Sequence, residues 1–491
     1  MTTPASEPSL RQTTLRSLRW VVVMHVLRGV LFFAAPAVLA NLTTAETIGA
    51  AELGMAVFFV ASQFIELGTG PAIIQRPQLD RVFLSTVFYV NVATGLVFGG
   101  LLYAGAPFLA TLLHLDPRFA YFLEWVAVSF AFFSLGIVQR SLLARRMAFR
   151  SLAGVNAAAA VAAVAAAAGP IRRGQVPEGL VAGLVAFAVV TSGGLWLLGR
   201  WMPSLSFDRR QLLPLFRFSL SVSAARTLDN LSAQWERFLV AGLLSPADLG
   251  VYALARNLHR TPLRHLMQVS DTVLMPALSA IQADKARCRG YYTAAMRLEL
   301  AALSPALAFL VAFAPDLVRL AYGPGWDRIV PLVYLTIPVT LRIITAHTVG
   351  AVFLSQGRSD VQLKWIALQF VLMTIYALAG SPWGIEGLAV SVLVLGFAGW
   401  TVSHLMANRL IGLSLADFLR NLAGPLAAVL LLTSLLSVAG QGLRLLLPRA
   451  TALLLLAGAG LALLLHGLVL RGVAPGLFRE LRQAVREAAG W

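Results

Sequence analysis

The hexapeptide SPADLG at residues 245–250 echoes TAETIG at 44–49, and each ends in glycine at the opening of an apolar run. The offset between them is 201 residues. Two further pairs keep nearly the same spacing: APFLATLL (106–113) with APDLVRLA (314–321), and EGLVAG (178–183) with EGLAVS (386–391), both at an offset of 208. One such pair among apolar segments means little. Three in the same order predict a duplicated unit.

The unit that repeats is a set of membrane helices. The chain is 58% hydrophobic and only 12% charged, about half the charge of an ordinary globular domain, with a mean hydropathy of +0.78. Apolar runs of roughly 18 to 25 residues, each able to cross about 30 Å of hydrocarbon, recur from residue 20 to residue 470. The first is longer than the core of a signal peptide, has no small-x-small cleavage site and is followed by many like it. We place fourteen helices near 20–40, 47–71, 83–105, 119–139, 151–169, 178–199, 218–243, 249–277, 291–317, 330–355, 365–380, 385–405, 421–438 and 450–470.

The expected fold class is therefore an all-α polytopic membrane protein with 14 transmembrane helices. Two pseudo-symmetric six-helix lobes, residues 1–203 and 204–410, are followed by two appended helices and a basic tail in 411–491. A repeat of six spans preserves orientation, so the lobes form a parallel repeat about an axis along the membrane normal. With both termini in the cytoplasm, the cytoplasmic segments hold 24 Lys and Arg against 7 in the opposite loops. That bias fits an N-in, C-in orientation. It also gives a topological reason for a net charge of +17, which in a soluble chain would point to nucleic acid. The fifth span, NAAAAVAAVAAAAG (156–169), is the weakest, since alanine inserts only marginally; close packing by small side chains would hold it. The tail carrying Arg479, Arg482 and Arg486 reads either as a disordered segment, the reading preferred here, or as a membrane-surface amphipathic helix.

The single cysteine, Cys288, excludes an intrachain disulfide and a cysteine-built metal site. Only two lysines are present, neither in a phosphate-loop setting, which argues against nucleotide hydrolysis within the chain.

Charge inside the spans points to function. RTLDNLSAQWER (226–237) lies where the seventh helix should be. At 100° per residue, Arg226, Asn230 and Arg237 fall within about 40° of one another, flanked by Asp229, Gln234 and Glu236. In the eighth span Arg256, Arg260 and Arg264 recur every four residues beside His259. His25 and Arg28 mark the first span, Ser62, Glu66 and Thr69 one face of the second, and Arg342 and His347 the tenth. An ionisable group facing lipid costs at least about 2.5–3.5 kcal/mol, so these groups face each other or a wet cavity. Eight arginines in the spans are set against six acids singled out there: Glu66, Glu124, Asp229, Glu236, Asp271 and Glu299. The surplus predicts a cationic chamber suited to a phosphate or diphosphate. The alternative is that individual arginines snorkel or tie helices together. His25, His259 and His347 read more readily as packing residues than as proton sites, and no metal motif is present.

Several strings carry a family resemblance: ELGTGPAIIQR (66–76), LSTVFYVN (84–91), LLARRMAFRSLA (142–153), QWERFLVAGLLSPADLGVYALA (234–255), YGPGWDRIVPL (322–332) and FLSQGRSDVQLKW (353–365). In this order over residues 15–410 the chain resembles the polysaccharide-transporter, Wzx-type branch of the multidrug/oligosaccharidyl-lipid/polysaccharide flippase superfamily. The family usually has Asp at the position of Glu236, so the carboxylate is kept but one methylene longer. The resemblance implies a flippase of the bacterial inner membrane that moves undecaprenyl-diphosphate-linked oligosaccharides outward for exopolysaccharide, capsule or O-antigen. It also implies alternating access between two lobes, driven by an H+ or Na+ gradient or the membrane potential, with no bound cofactor.

On this reading Arg28, Arg226, Arg256, Arg260 and Arg264 hold the diphosphate, and Glu66, Asp229 and Glu236 are the ion-coupling candidates. The expected partners are the lipid-linked oligosaccharide, membrane lipid and polysaccharide polymerase or assembly proteins, with no nucleic acid and a monomeric state. A peptidoglycan-precursor flippase, a drug or cation antiporter of the same superfamily, and a membrane scaffold are the alternatives. An enzyme would want a large loop or soluble domain that this chain lacks.

Overall fold

The computed structural model describes residues 36–66, 69–76, 78–112, 117–211, 228, 230–447 and 450–489. The regular elements among these residues are helices: α1 (Ala45–Glu66), α2 (Thr69–Gln75), α3 (Arg81–Leu112), α4 (Pro117–Arg145), α5 (Phe149–Arg172) and α6 (Val176–Gly199). Helix α7 follows at residues 230–243. Next come α8 (Pro246–Ala280), α9 (Lys285–Ala312), α10 (Ala314–Tyr322), α11 (Ile329–Ser355), α12 (Ser359–Gly380), α13 (Gly384–Ile411), α14 (Leu415–Leu446), α15 (Thr451–Val473) and α16 (Pro475–Ala489). Ten helical stretches among the described residues are long and apolar enough to cross a membrane. One of them, Ser359–Ile411, is α12 and α13 joined through a 3-10 turn at Ser381–Trp383. Leu456, Leu463, Leu464 and Leu468 of α15 are exposed, an apolar surface of the kind that bilayer covers.

The chain forms two compact units, one of residues 42–250 and one of residues 36–41 with 251–491. In the first, α3 pairs with α4, α5 with α6, and α4 also packs on α6. Their core is Ile73, Phe83, Val87, Phe88 and Val138, flanked by Trp196 and Trp201. The alanine-rich α5 is held as its composition predicts. A β-carbon at Gly183 would sit 3.1 Å from the Ala163 carbonyl and 3.4 Å from the Ala167 methyl, so small residues let the α5 and α6 backbones nearly touch. The segment after α6 is fastened to α3 by the Ser85–Ser204 hydroxyl contact at 3.0 Å and the Asp208 amide donating to Thr86 at 3.0 Å.

The second unit pairs α9 with α14, α11 with α13, α12 with α13, and α14 with α15. Residues 36–41 join it because Asn41 donates to the Ala321 carbonyl and the Trp326 indole donates to that of Ala40, each at 3.0 Å. Phe313, in non-helical conformation between α9 and α10, is fully buried in a cluster with Leu432, Leu436, Leu454 and Ala462. The basic tail is helical: Leu477 of α16 is buried there, with Phe478 and Leu481 packed alongside, and Glu480 meets Arg297 at 3.3 Å. Arg479 and Arg482 stay exposed. The tail is thus helical and not the disordered segment preferred from sequence, because one face has a protein core to join.

Basic residues close helix ends in both units. Arg145 donates to the carbonyls of Ile73 (2.7 Å) and Arg76 (2.5 Å), at the end of α2. Lys285 donates to the Leu410 carbonyl at 2.6 Å, and Arg289 to those of Ile411 and Gly412 at 3.1 and 3.3 Å. Unsatisfied carbonyls at a helix C-terminus attract cations, which explains the pattern.

Candidate functional site

Within the first unit the charges of α7 meet α1. Arg237 Nε donates to a Glu52 carboxylate oxygen at 2.9 Å, with each side chain 19% exposed. The same guanidinium donates to the Gln234 amide oxygen one turn earlier on α7. Glu236, beside Arg237 in sequence, is 8% exposed. Glu52 lies within the expected second span but is absent from the six acids named from sequence, as are Glu178, Asp316 and Glu386 of other spans; with these the acids number ten against eight arginines, so the expected arginine surplus does not hold. A helix 185 residues away was not a partner that spacing could name.

Glu66 ends α1, fourteen residues beyond Glu52 and so about 21 Å further along the helix. Its carboxylate lies against Gly70, where a β-carbon would also come within 3.2 Å of the Ser141 hydroxyl. The coupling candidates Glu66 and Glu236 therefore occupy different levels of the unit. Asp229 and Arg226, with their expected i,i+3 pair, lie outside the described residues, as does Arg28.

Helix α8 is continuous from Pro246 to Ala280, its residues from Val251 onward belonging to the second unit, so Arg256, Arg260 and Arg264 stand along one face of a single helix. Arg256 is 9% exposed, its guanidinium 5.5 Å from the centre of the Tyr252 ring. Arg260 is half-buried, and the Arg264 side chain lies outside the described residues. His259 is buried against α11, with Nε2 2.8 Å from the Thr336 hydroxyl and Nδ1 2.7 Å from that of Thr340. Thr336 gives its own proton to the Leu332 carbonyl at 2.6 Å, so it accepts from Nε2–H while Thr340 donates to Nδ1. Every polar atom of that ring is used. His259 is a packing residue, offset from Arg256 and Arg260 by about 60° and 100° around the helix. We expect His259→Gln to unfold near the parent temperature, and His259→Ala to lose about 1–3 kcal/mol by removing the ring that Thr336 and Thr340 bond, read from thermal unfolding in detergent.

Other span arginines tie helices together. Arg342 of α11 lies against Gly396 of α13 and donates to its carbonyl at 3.3 Å. Arg297 of α9 bonds Asn421 of α14 at 3.2 Å as well as Glu480. Among the described residues no group of three or more His, Cys, Asp or Glu could hold a metal ion.

The family described as polysaccharide biosynthesis protein matches residues 38–331, which include α1, α7 and the whole of α8. The chain belongs to that family. Among curated relatives it is 22% identical over 421 residues to the lipopolysaccharide biosynthesis protein WzxC of Escherichia coli (strain K12), covering 85% of each chain. It is 21% identical over 364 residues to the teichuronic acid biosynthesis protein TuaB of Bacillus subtilis (strain 168), covering 73% of this chain and 74% of that one. Among solved structures, the lipid II flippase MurJ in an inward closed conformation superposes with a TM-score of 0.69 at 14% identity. That match covers 94% of this chain and 98% of MurJ, and it shows a shared fold. The family resemblance read from the quoted strings is thus confirmed.

Proposed function

We propose that this family member is a flippase that carries undecaprenyl-diphosphate-linked oligosaccharide repeat units across the bacterial cytoplasmic membrane for exopolysaccharide, capsule or O-antigen synthesis. The observation that carries the reading is the row Arg256–Arg260–Arg264 on one membrane-length helix, with Arg256 nearly buried. A row of guanidinium groups at four-residue spacing is the donor set a diphosphate needs. The family and the printed roles of WzxC and TuaB in lipopolysaccharide and teichuronic acid biosynthesis support a glycan substrate.

In this reading the chain crosses the membrane fourteen times with both termini in the cytoplasm, its two six-helix lobes at 1–203 and 204–410 and its appended helices in 411–491. Arg28 and Arg226 join the α8 arginines in holding the diphosphate. The sugar travels in a wet path while the prenyl chain stays in lipid, so no hydrated oligosaccharide enters hydrocarbon. Glu66, Asp229 and Glu236 moderate the positive field and supply the carboxylate for coupling to an H+ or Na+ gradient, with no bound cofactor. It acts as a monomer beside polysaccharide assembly proteins.

Reconstituted protein with Arg260→Ala and Arg264→Ala together should lose transport of a fluorescent prenyl-diphosphate oligosaccharide about a hundredfold, as expected for two charge-assisted hydrogen bonds to phosphate. Its unfolding temperature should stay near that of the parent. Undiminished transport would remove α8 from the substrate path.

A further inference from the structure

A polar cavity of about 390 Å³ sits in the second unit where two membrane-length helices begin, between the first turns of α9 and the turn that joins α13 to α14. Arg289, Gly290 and Thr293 of α9 form one wall, and Ser414, Asp417 and Asn421 form the other. The sequence builds these walls locally. Asp284 caps α9 by accepting from the Arg287 amide at 3.0 Å, and Ser414 caps α14 by accepting from the Asp417 amide at 3.1 Å. Gly412 ends α13 in left-handed conformation, at φ +69°, so the chain can turn directly into α14. No side chain fills the space at Gly290, where an added β-carbon would meet nothing within 4 Å.

The groups around this space carry both signs of charge. Arg289 uses Nη1 on the Ile411 and Gly412 carbonyls, and its Nε and Nη2 bond no other described residue. The amides of Leu415 and Ala416, in the first turn of α14, have no acceptor within their own helix. Two turns further along α9, Arg297 donates through Nη1 to Asn421 at 3.2 Å, while its buried Nε meets no acceptor among the described residues. A buried donor of this kind points to a missing oxygen beside Asn421. The carboxylate of Asp417 stands on the opposite wall, half-exposed. A guanidinium on one wall and a carboxylate on the other match a zwitterion better than a simple anion. None of the lining residues is aromatic, so the cavity has no cage for a quaternary ammonium, whereas the N–H groups of a primary ammonium can bond Asp417. Lys285, Arg287, Arg409 and Arg420 crowd the same helix ends, the charge that marks a cytoplasmic face. On the orientation proposed above, the cavity lies at the headgroup level of the inner leaflet.

We infer that this cavity binds the headgroup of a resident membrane phospholipid that carries a phosphodiester and a primary ammonium. Arg289 and the first-turn amides of α14 take the phosphate, and Asp417 takes the ammonium. The bound lipid bridges α9 and α14 at their ends and so stabilises the second unit. The site shares no residue with the arginine row of α8 and does not depend on which lipid is transported.

The test uses the full chain, stripped of lipid in detergent. It is titrated with short-chain phospholipids that differ only in an ethanolamine, choline or glycerol headgroup, and with free phosphoethanolamine. Thermal unfolding and native mass spectrometry read binding without any transport. The ethanolamine lipid should bind saturably and at least about tenfold more tightly than the choline lipid, the difference of one charge-assisted hydrogen bond. Asp417→Asn should erase that preference while the α14 cap survives, since the new amide oxygen can still accept from Ser414. Gly290→Leu should fill the cavity and block binding. It removes no contact, and leucine favours helix over glycine, so its unfolding temperature without lipid should not fall. Equal binding of the three headgroups, or tighter binding of the anionic glycerol lipid, would overturn the inference. So would a preference that survives Asp417→Asn, or binding left intact in Gly290→Leu. Free phosphoethanolamine binding as tightly as the lipid would overturn the lipid assignment in favour of a soluble phosphate ester.

Discussion

Arg237→Ala, with Glu52 left in place, is expected to be the most damaging single change in the first unit. It removes the 2.9 Å partner of a carboxylate inside a membrane helix, where breaking a buried pair costs on the order of 3–5 kcal/mol; the partial exposure of both groups lowers this to about 2–3 kcal/mol. Glu52→Gln alone should cost less, because Arg237 keeps its bond to Gln234. The double variant Glu52→Gln with Arg237→Gln should recover much of the loss, since two neutral amides can bond each other. A double-mutant cycle in thermal unfolding measures the coupling directly. Additive effects would mean that the pair is incidental to the unit.

The second large effect belongs to Phe313. Its ring lies 5.1 Å from that of Phe309, and its edge fills the space left by Gly440 of α14 and Gly458 of α15. A β-carbon at Gly458 would meet the ring at 2.5 Å. Arg444 of α14 covers the ring at 5.5 Å while bonding Asp316 at 2.6 Å and the Ala312 carbonyl at 2.7 Å. Phe313→Ala leaves a cavity where three helices converge and should cost about 3–5 kcal/mol. Hydrogen exchange should rise in α14 and α15 well before the rest of the second unit responds. Exchange rising uniformly across the unit would show that these helices are no separate cooperative element.

The family, the helical class and the close packing of the alanine-rich α5 were legible in residues alone, because motif strings, apolar length and small-residue spacing are local properties. Pairing was not. Glu52 and Arg237 sit inside two apolar runs, and nothing in either run names the other. Boundaries also escaped where the repeat diverges. APFLATLL continues α3 to Leu112 through Pro107, whereas APDLVRLA begins a separate helix after Phe313. The difference is the buried aromatic ring, which fixes a break that proline alone does not impose. The arginine row of α8 was legible as a periodicity, and so was the role of His259 as packing. The threonines that satisfy that histidine could be found only once α11 lay beside α8.

The cations that close the ends of α2 and α13 have a consequence for how this protein is made. Arg145, Lys285 and Arg289 each donate to carbonyls 69 to 125 residues away along the chain. Those carbonyls stay unmet until α4 lies beside α2 and α9 beside α13, so these end contacts form only as the helices dock and reward the correct register.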